Sequence, residues 1–370
     1  MMLWQRQATS MKLRRIRKSH KISTKSPAGL RGFSHMGGIV LKEIIQLLAE
    51  CEGASRIGIS GHIRPDGDCV GSCLALWQYL KKAMPDAYIK VFLQKPADIF
   101  GELKGFELID SNFGEEAQFD VFFALDCNKE RLGGAEKYFE QAKKTINIDH
   151  HISNADGCGV VNYVRPEVGS TSELIYDLIL AEGNDKMLDK ELAKTIYTGI
   201  IHDTGVFQYS NTTPKTMEVG AKLICYGFDF TRLIEETFYQ KTYAQTRILG
   251  YALKESMRLM EGKCVVSFIT KKDMEDFQVS IHDLDGIVNQ LRNIKGVHCA
   301  IFMYETEEEE YKVSLRSDEY VDVAKVASFF GGGGHMRAAG CSMKGTFHNC
   351  INNLSLHIER QLRNGTLEKK

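Results

Sequence analysis

The chain of 370 residues reads as an α/β protein. Its N-terminal domain carries a mainly parallel sheet flanked by helices, followed by a helical linker and a smaller C-terminal α/β domain. Three observations predict this. Short apolar runs bounded by turn residues alternate with stretches of helical spacing, the pattern of strands joined by helical crossovers. Three of the N-terminal runs end in acids or histidines, as expected where a ligand binds at the carboxyl rim of an open sheet. A second series of strands and helices begins at Lys263, after a long segment of helical character.

The elements follow in order. Residues 39–51 have helical spacing, with Ile39, Leu41, Ile44, Ile45, Leu47 and Leu48 on one face. A strand at 56–60 runs into Gly61-His62-Ile63-Arg64-Pro65-Asp66-Gly67-Asp68, and a helix is expected over 70–83. Strands follow at 88–93, 120–125 and 145–148; the third is a continuous apolar run suited to burial on both faces and ends in Asp126. The fourth ends in Asp149-His150-His151. Ser170-Thr171-Ser172-Glu173 has the capping-box pattern and opens a helix to about Leu180. Further helices are expected at 188–202, from Pro214 to a stop at Gly227, and over 230–257. In the second series, strands are expected at 264–269, 297–304 and 311–316, and helices after Thr270 and at 283–293. The run Glu305–Glu310 reads as a solvated hairpin tip. A helix at 321–330 leads into Gly331-Gly332-Gly333-Gly334-His335, and a short strand from Cys341 precedes a last helix at 347–362.

Composition narrows the function classes. With 43% hydrophobic and 26% charged residues the chain is an ordinary globular one. No apolar run approaches the ~18–20 residues of a membrane span. Ten cysteines form no CxxC pair, which favours reduced thiols in the cytoplasm over disulfides or zinc. Nine of the 47 Lys and Arg lie in residues 1–35, where there is no acid, leaving 38 bases against 48 acids in the body. The body is therefore not a broad surface for coating nucleic acid. Residues 1–38 are expected to be a disordered basic extension, or translated upstream sequence ahead of a start at Met36.

The chemistry concentrates at the strand ends. His62, Asp66, Asp68, Asp126, Asp149, His150 and His151 would converge on one rim. The Pro-Asp-Gly turn lets His62 and Asp66 face one ion while Asp68 faces a neighbour. Asp126 is placed to bridge both, and His150 and Asp203 to complete the second set. Paired carboxylate/imidazole sites of this kind hold two cations for displacement at phosphorus. With no thiol among them, Mn²⁺ or Mg²⁺ is favoured over zinc.

His62-x3-Asp66-x-Asp68, Asp126, Asp149-His150-His151 and Asp203 resemble the ordered motifs of the DHH phosphoesterase superfamily. That superfamily includes RecJ-like exonucleases, cyclic-dinucleotide phosphodiesterases and family II pyrophosphatases. The segments 60–72 and Gly331-Gly332-Gly333-Gly334-His335-Met336-Arg337-Ala338-Ala339-Gly340 are similar to its compact two-domain nanoRNase/pAp-phosphatase branch, the glycine stretch to that branch's DHHA1 domain. The resemblance covers about residues 39–360. It implies a DHH catalytic domain at 39–228, a helical linker at 229–257, a DHHA1 substrate domain at 258–362 and a tail at 363–370.

The resemblance further implies one Mn²⁺ on His62, Asp66 and Asp126 and a second on Asp68, Asp126, His150 and Asp203. Asp149 would orient the histidines, and His151 would face the scissile phosphate. His202 stands where the family pattern has a small residue and is expected to pack. In the second domain Gly332, Gly333 and Gly334 would expose backbone N–H groups to an anion, beside His335, Arg337 and Arg316.

The implied activity is Mn²⁺-dependent hydrolysis of short RNA oligonucleotides and removal of the 3′-phosphate from 3′-phosphoadenosine 5′-phosphate (pAp). Rival readings are a cyclic or linear dinucleotide phosphodiesterase, a RecJ-like single-strand exonuclease, and a metal-dependent nucleotide-binding module without catalysis. Partners are short RNA and nucleotide bisphosphates, with no membrane. The oligomeric state is open, a homodimer included.

Overall fold

The computed structural model describes residues 49–116 and 118–367; the side chains of His335 and of residues 364–367 lie outside the description. The basic segment, and nearly all of the helix expected at 39–51, fall outside the described residues. The described residues form two compact units, divided between Phe238 and Tyr239.

The first unit is built on five parallel strands, β1 (Arg56–Ser60), β2 (Tyr88–Phe92), β3 (Val121–Leu125), β4 (Lys144–Asp149) and β5 (Val161–Val164), in the order β2-β1-β3-β4-β5. Every residue of β3 is buried, as its unbroken apolar run predicts. Phe122 fits because β1 carries Gly58 opposite: a Cβ there would lie 2.3 Å from the Phe122 ring. β5 was not expected. Val161-Asn162-Tyr163-Val164 is too short and too exposed to announce a strand, and it exists through its pairing with β4. In this strand order the chain leaves β1 for opposite sides at β2 and β3, so a crevice opens between the carboxyl ends of β1 and β3.

The helices of this unit are α1 (Gly67–Ala83), α2 (Glu136–Gln141), α3 (Thr171–Ala181), α4 (Lys190–Asp203), α5 (Pro214–Ile224) and α6 (Phe230–Ile234). α1 starts three residues earlier than its apolar spacing suggests. Asp66 caps it, accepting from the backbone N–H of Asp68 (3.1 Å) and Cys69 (3.0 Å). α1 and α4 cross where both carry glycine: a Cβ on Gly71 would sit 2.9 Å from Gly199 Cα, and one on Gly199 1.9 Å from Ser172 Oγ. This close crossing brings the first turn of α1 and the last turns of α4 together.

The second unit has helices α7 (Tyr243–Lys254), α8 (Lys271–Phe277), α9 (Ile287–Arg292), α10 (Val323–Ser328) and α11 (Phe347–Leu367). Its strands are β6 (Met257–Leu259), β7 (Cys264–Ile269), β8 (Cys299–Glu307), β9 (Glu310–Ser317), β10 (Gly333–His335) and β11 (Ala338–Lys344). They form one mixed sheet, β10-β11-β9-β8-β7-β6, in which only β7 and β8 run parallel. Alternate residues serve two cores. Ile301, Met303, Val313 and Leu315 pack under α10 and α11, while Val265, Ala300 and Phe302 pack with α7, α8 and α9.

The predicted α/β class is the one adopted, with local differences. The helix expected over 230–257 is broken into α6, a π-turn at Glu235–Tyr239 and α7, and its end is the edge strand β6. Thr242 and Gln245 form a capping box that starts α7 afresh. The helix expected at 283–293 divides at Gly286, whose φ is +85°, into a 3₁₀ turn and α9. The acidic run does form a hairpin end, but β8 and β9 extend through most of it, so the tip is Glu308-Glu309.

Candidate active site

Five elements deliver the rim residues. His62 follows β1, Asp66 and Asp68 lie at the start of α1, and Asp126 follows β3. Asp149 ends β4 with His150 and His151 beyond it, and Asp203 ends α4. The metal-ligating atoms of His62, Asp66 and Asp126 lie within 4.8 Å of one another, as do those of Asp68, His150 and Asp203, and those of Asp126, His150 and His151. Asp126 turns one oxygen to each side: Oδ2 is 3.5 Å from His62 Nε2, and Oδ1 is 3.5 Å from His150 Nε2. His62 Nε2 is also 3.6 Å from Asp66 Oδ1, and His150 Nε2 is 3.4 Å from Asp203 Oδ2. The seven rim residues expected from the sequence, and Asp203 with them, are thus brought together, with Asp149 behind the ligating groups.

Asp126 holds this position at a conformational cost. Its φ is +60°, and its N–H is tied to Ile148 O at 3.0 Å. Positive φ also occurs at Arg64, between His62 and Asp66, and at Val206 and Phe207, just after Asp203. Each such residue costs about 1–3 kcal/mol, and such strain gathers at functional sites.

The electrostatics call for cations. Asp68 is buried; burial, then repulsion from Asp126 and Asp203, pushes its carboxyl well above the usual range. Burial likewise pushes Asp203 up to about 6, with His150 opposing and Asp126 and Asp66 adding to the rise. Burial disfavours the charged form of His62, but Cys69, Asp126 and Asp66 around it prevail and push it up to about 12. His150 gives the sharpest test of a metal. Its Nδ1 is 3.2 Å from Val168 O, and a hydrogen bond donated there frees Nε2 to act as a metal ligand. That Nε2 is buried, has no hydrogen-bond partner, and faces two carboxylate oxygens. A divalent cation seated between them would satisfy the nitrogen and both carboxylates at once. The carboxylate/imidazole donor set fits a divalent first-row ion or Mg²⁺.

Several supporting residues escaped the sequence reading. The N-terminus of α3 holds Asp68: Thr171 N donates to Oδ2 (2.7 Å) and Ser172 N to Oδ1 (2.9 Å). Thr171 Oγ1 donates to Asp126 Oδ1 (2.9 Å). The capping box read at Ser170–Glu173 is only half formed, because Glu173 turns to accept from Thr216 Oγ1 (2.8 Å). Asn211 Nδ2 donates to Asp203 Oδ2 (3.0 Å), and Asn154 Nδ2 to Asp149 Oδ2 (2.7 Å) and Asn147 Oδ1 (2.9 Å). Asn147 carried a signal, since an amide between Ile146 and Ile148 in a buried strand needs internal partners. It donates to Ala124 O and Cys127 O.

Two expectations about histidines divide. Asp149 accepts from the backbone N–H of both His150 (2.7 Å) and His151 (3.0 Å), but from the ring of His151 alone, at Nδ1 (2.8 Å). Val168, not Asp149, orients the His150 ring. Burial would lower the pKa of His151, yet the Asp149 hydrogen bond, helped by Asp126, pushes it up to about 9. His202 packs. Its ring lies edge-on to Phe100 and Phe238, it covers Gly67, and its Nε2 is 3.1 Å from Thr237 Oγ1.

In the second unit part of the glycine stretch, expected to expose its backbone N–H groups, is drawn into secondary structure. Gly331 N and Gly332 N bond back to Ser328 O (3.2 Å) and Ala327 O (3.0 Å), closing α10. Gly333–His335 is the edge strand β10, which presents alternate backbone groups away from the sheet. Packing accounts for Gly332, whose Cβ would lie 2.2 Å from Gly340 O, and for Gly334, with φ +142°. It does not account for Gly333, where a Cβ would meet nothing within 4 Å. Pairing puts His335, Ala338 and Arg316 in one row across β10, β11 and β9; the His335 side chain lies outside the described residues. Arg316 is half-buried, with a guanidinium N–H on Leu315 O (3.0 Å), and Arg337 is exposed.

Residues 56–200 match the DHH family, N-terminal domain, and residues 261–364 match the DHHA1 domain. The bifunctional oligoribonuclease and PAP phosphatase NrnA of Bacillus subtilis is 31% identical over 284 residues, 76% of this chain and 87% of that protein. The protein of the same name from Thermus thermophilus is 30% identical over 307 residues, 82% of this chain and 89% of its own length. The crystal structure of an exopolyphosphatase-related protein from Bacteroides fragilis superposes with a TM-score of 0.80 at 28% identity, covering 88% of this chain and 98% of that one.

Proposed function

The chain belongs to the DHH/DHHA1 phosphoesterase family, in the branch of the bifunctional oligoribonucleases and PAP phosphatases, and from that membership we propose that it hydrolyses short RNA oligonucleotides to mononucleotides and removes the 3′-phosphate from pAp. The observation that carries this reading is the two-sided Asp126, with a histidine 3.5 Å from each carboxylate oxygen. Chemistry is assigned to residues 39–228 and substrate binding to 258–362. The first cation is assigned to His62, Asp66 and Asp126, the second to Asp68, Asp126, His150 and Asp203, with Mn²⁺ preferred and Mg²⁺ the alternative. Bound there, the ions would neutralise phosphoryl charge and acidify a water at the site.

The side chains do the rest. In one step a water oxygen bonds to phosphorus while the bond from phosphorus to the nucleoside 3′-oxygen breaks. His151, oriented by its Nδ1 hydrogen bond to Asp149, is assigned to hold a proton for the departing oxygen. An oligomer then yields a 5′-phosphorylated remainder, and pAp yields phosphate. Arg316, Gly333, Gly334, His335 and Arg337 are assigned to the substrate's further phosphate, whereas Gly332, expected with them, donates its N–H to Ala327 O; the unexplained Gly333 and the nearby cationic Arg316 support this. The ten free thiols suit a reducing cytoplasm, and no helix among the described residues is long and apolar enough to cross a membrane.

The test is an assay with and without Mn²⁺ across pAp, RNA of two to about 24 nucleotides, single-stranded DNA and cyclic dinucleotides. Metal-dependent release from pAp and from RNA dinucleotides is expected. Turnover of cyclic dinucleotides or long DNA alone would overturn the assignment.

A further inference from the structure

Beyond Asp203 the chain makes a turn that L-residues avoid. Gly205, Val206 and Phe207 have φ of +56°, +56° and +63° in succession. A β-branched valine there is an outlier, so the surrounding contacts must over-determine the turn. Thr204 is the hub: its Oγ1 donates to Ile200 O (2.5 Å) and accepts from Phe207 N (3.1 Å), and its carbonyl accepts from Gln208 N and Tyr209 N, both at 2.9 Å. Phe207 is anchored inward against Gly220, where a Cβ would lie 2.8 Å from the ring. At the far end Asn211 Nδ2 reaches back to Asp203 O (3.2 Å) and Oδ2 (3.0 Å). Both ends of the loop are therefore tied to one carboxylate of the candidate metal centre.

This construction presents Tyr209. Its ring lies against Gly205, where a Cβ would be 2.4 Å from Cζ, yet the residue remains 48% exposed. Gly205 is thus needed twice, for the backbone and for the ring above it. Two further exposed apolar residues each follow a rim histidine directly: Ile63 after His62 and Ile152 after His151. A charged centre with an apolar, aromatic margin suits a ligand in which phosphate adjoins a flat π-surface.

We propose that Tyr209 is a stacking platform for a nucleobase of the substrate, next to the phosphate that the carboxylate cluster processes. The proposal rests on the nucleotide-phosphoesterase reading above. It makes recognition of that base independent of sequence, because any base offers a π-face.

The experiment compares kcat/KM for the RNA dinucleotide pApA with that for two analogues, each with one adenosine replaced by an abasic ribose. Tyr209→Leu keeps an apolar cover on Gly205 and removes the ring; Tyr209→Phe keeps the ring. For one of the two positions, the ratio of base-bearing to abasic substrate should fall about 5- to 150-fold in Tyr209→Leu, mainly through KM, and return in Tyr209→Phe. A purely structural role would lower rates for base-bearing and abasic substrates alike. Equal ratios in wild type and Tyr209→Leu would overturn the platform and leave the proposed function standing. A folded, Mn²⁺-loaded wild type that cleaves none of the substrates would overturn the proposed function, and the platform with it.

Discussion

The two units treat their polar residues in opposite ways. In the first, charged groups are drawn into the carboxyl edge of a parallel sheet and each is braced: Asp68 by two backbone N–H groups, Asp126 by Thr171, Asp149 by Asn154 and Asp203 by Asn211. In the second, most of the residues assigned to substrate lie on or beside the edge strand β10, with Arg316 two strands further in on β9, and the hairpin leaves Glu308 and Glu309 in solvent at its tip. Bond-breaking chemistry needs donors preset to small tolerances. Gripping a phosphate needs charge and an open backbone, which an edge strand supplies with less bracing.

The largest expected break of this contrast is Asp126→Ala. It removes the carboxylate shared by both histidine groups, and activity should be lost almost completely. Counting bound Mn²⁺ decides the cause: a variant that keeps two ions, with circular dichroism showing it folded, would remove the bridging role. His151→Ala should keep the ions and lower kcat on the order of 10²- to 10⁴-fold. If metal is lost instead, His151 is itself a ligand.

The second unit should respond in KM. Arg316→Ala should lower kcat/KM for pAp about 10- to 150-fold, the worth of one charge-assisted contact of roughly 1.5–3 kcal/mol. Hydrolysis of bis-p-nitrophenyl phosphate, which has no terminal phosphate, should change far less; equal losses on both would place Arg316 in support of the fold. The glycines sharpen the same contrast. Gly332→Ala should lower stability by about 1–3 kcal/mol through overlap with Gly340. Gly333→Ala should melt near wild type and raise KM for pAp, and a normal KM would detach the edge strand from binding.

The smallest effect lies away from both sites. Asp120 is held well below the usual carboxylate range by Lys143 first, then by the backbone N–H and hydroxyl groups of Ser55 and Arg56 N–H. A depressed folded pKa gives stability that is present above the unfolded value of about 3.9 and is lost as pH falls toward the folded one. Asp120→Asn should therefore cost about 1–2 kcal/mol at pH 7, and the gap in melting temperature to wild type should narrow below about pH 4. A gap constant with pH would mean that packing, not charge, is what Asp120 contributes.

The strands β1 to β4, the acids and histidines that follow three of them, the caps at Ser170 and Thr270 and the helix start at Pro214 were legible in the sequence. Their causes are local: apolar runs, turn chemistry and ligand types act over a few residues. The family resemblance added to that reading the role of each residue and the second domain's part. Only the tertiary structure decided which oxygen of Asp126 faces which histidine, that Val168 sets the ring of His150, and that α3 caps Asp68 across 103 residues of chain. It also made a strand of Gly333–His335 and broke the helix expected over 230–257. Those outcomes depend on partners brought together by the sheet and by the Gly71–Gly199 crossing. Neither an edge strand without its neighbour nor a buried lone pair without its carboxylates has a local pattern to read.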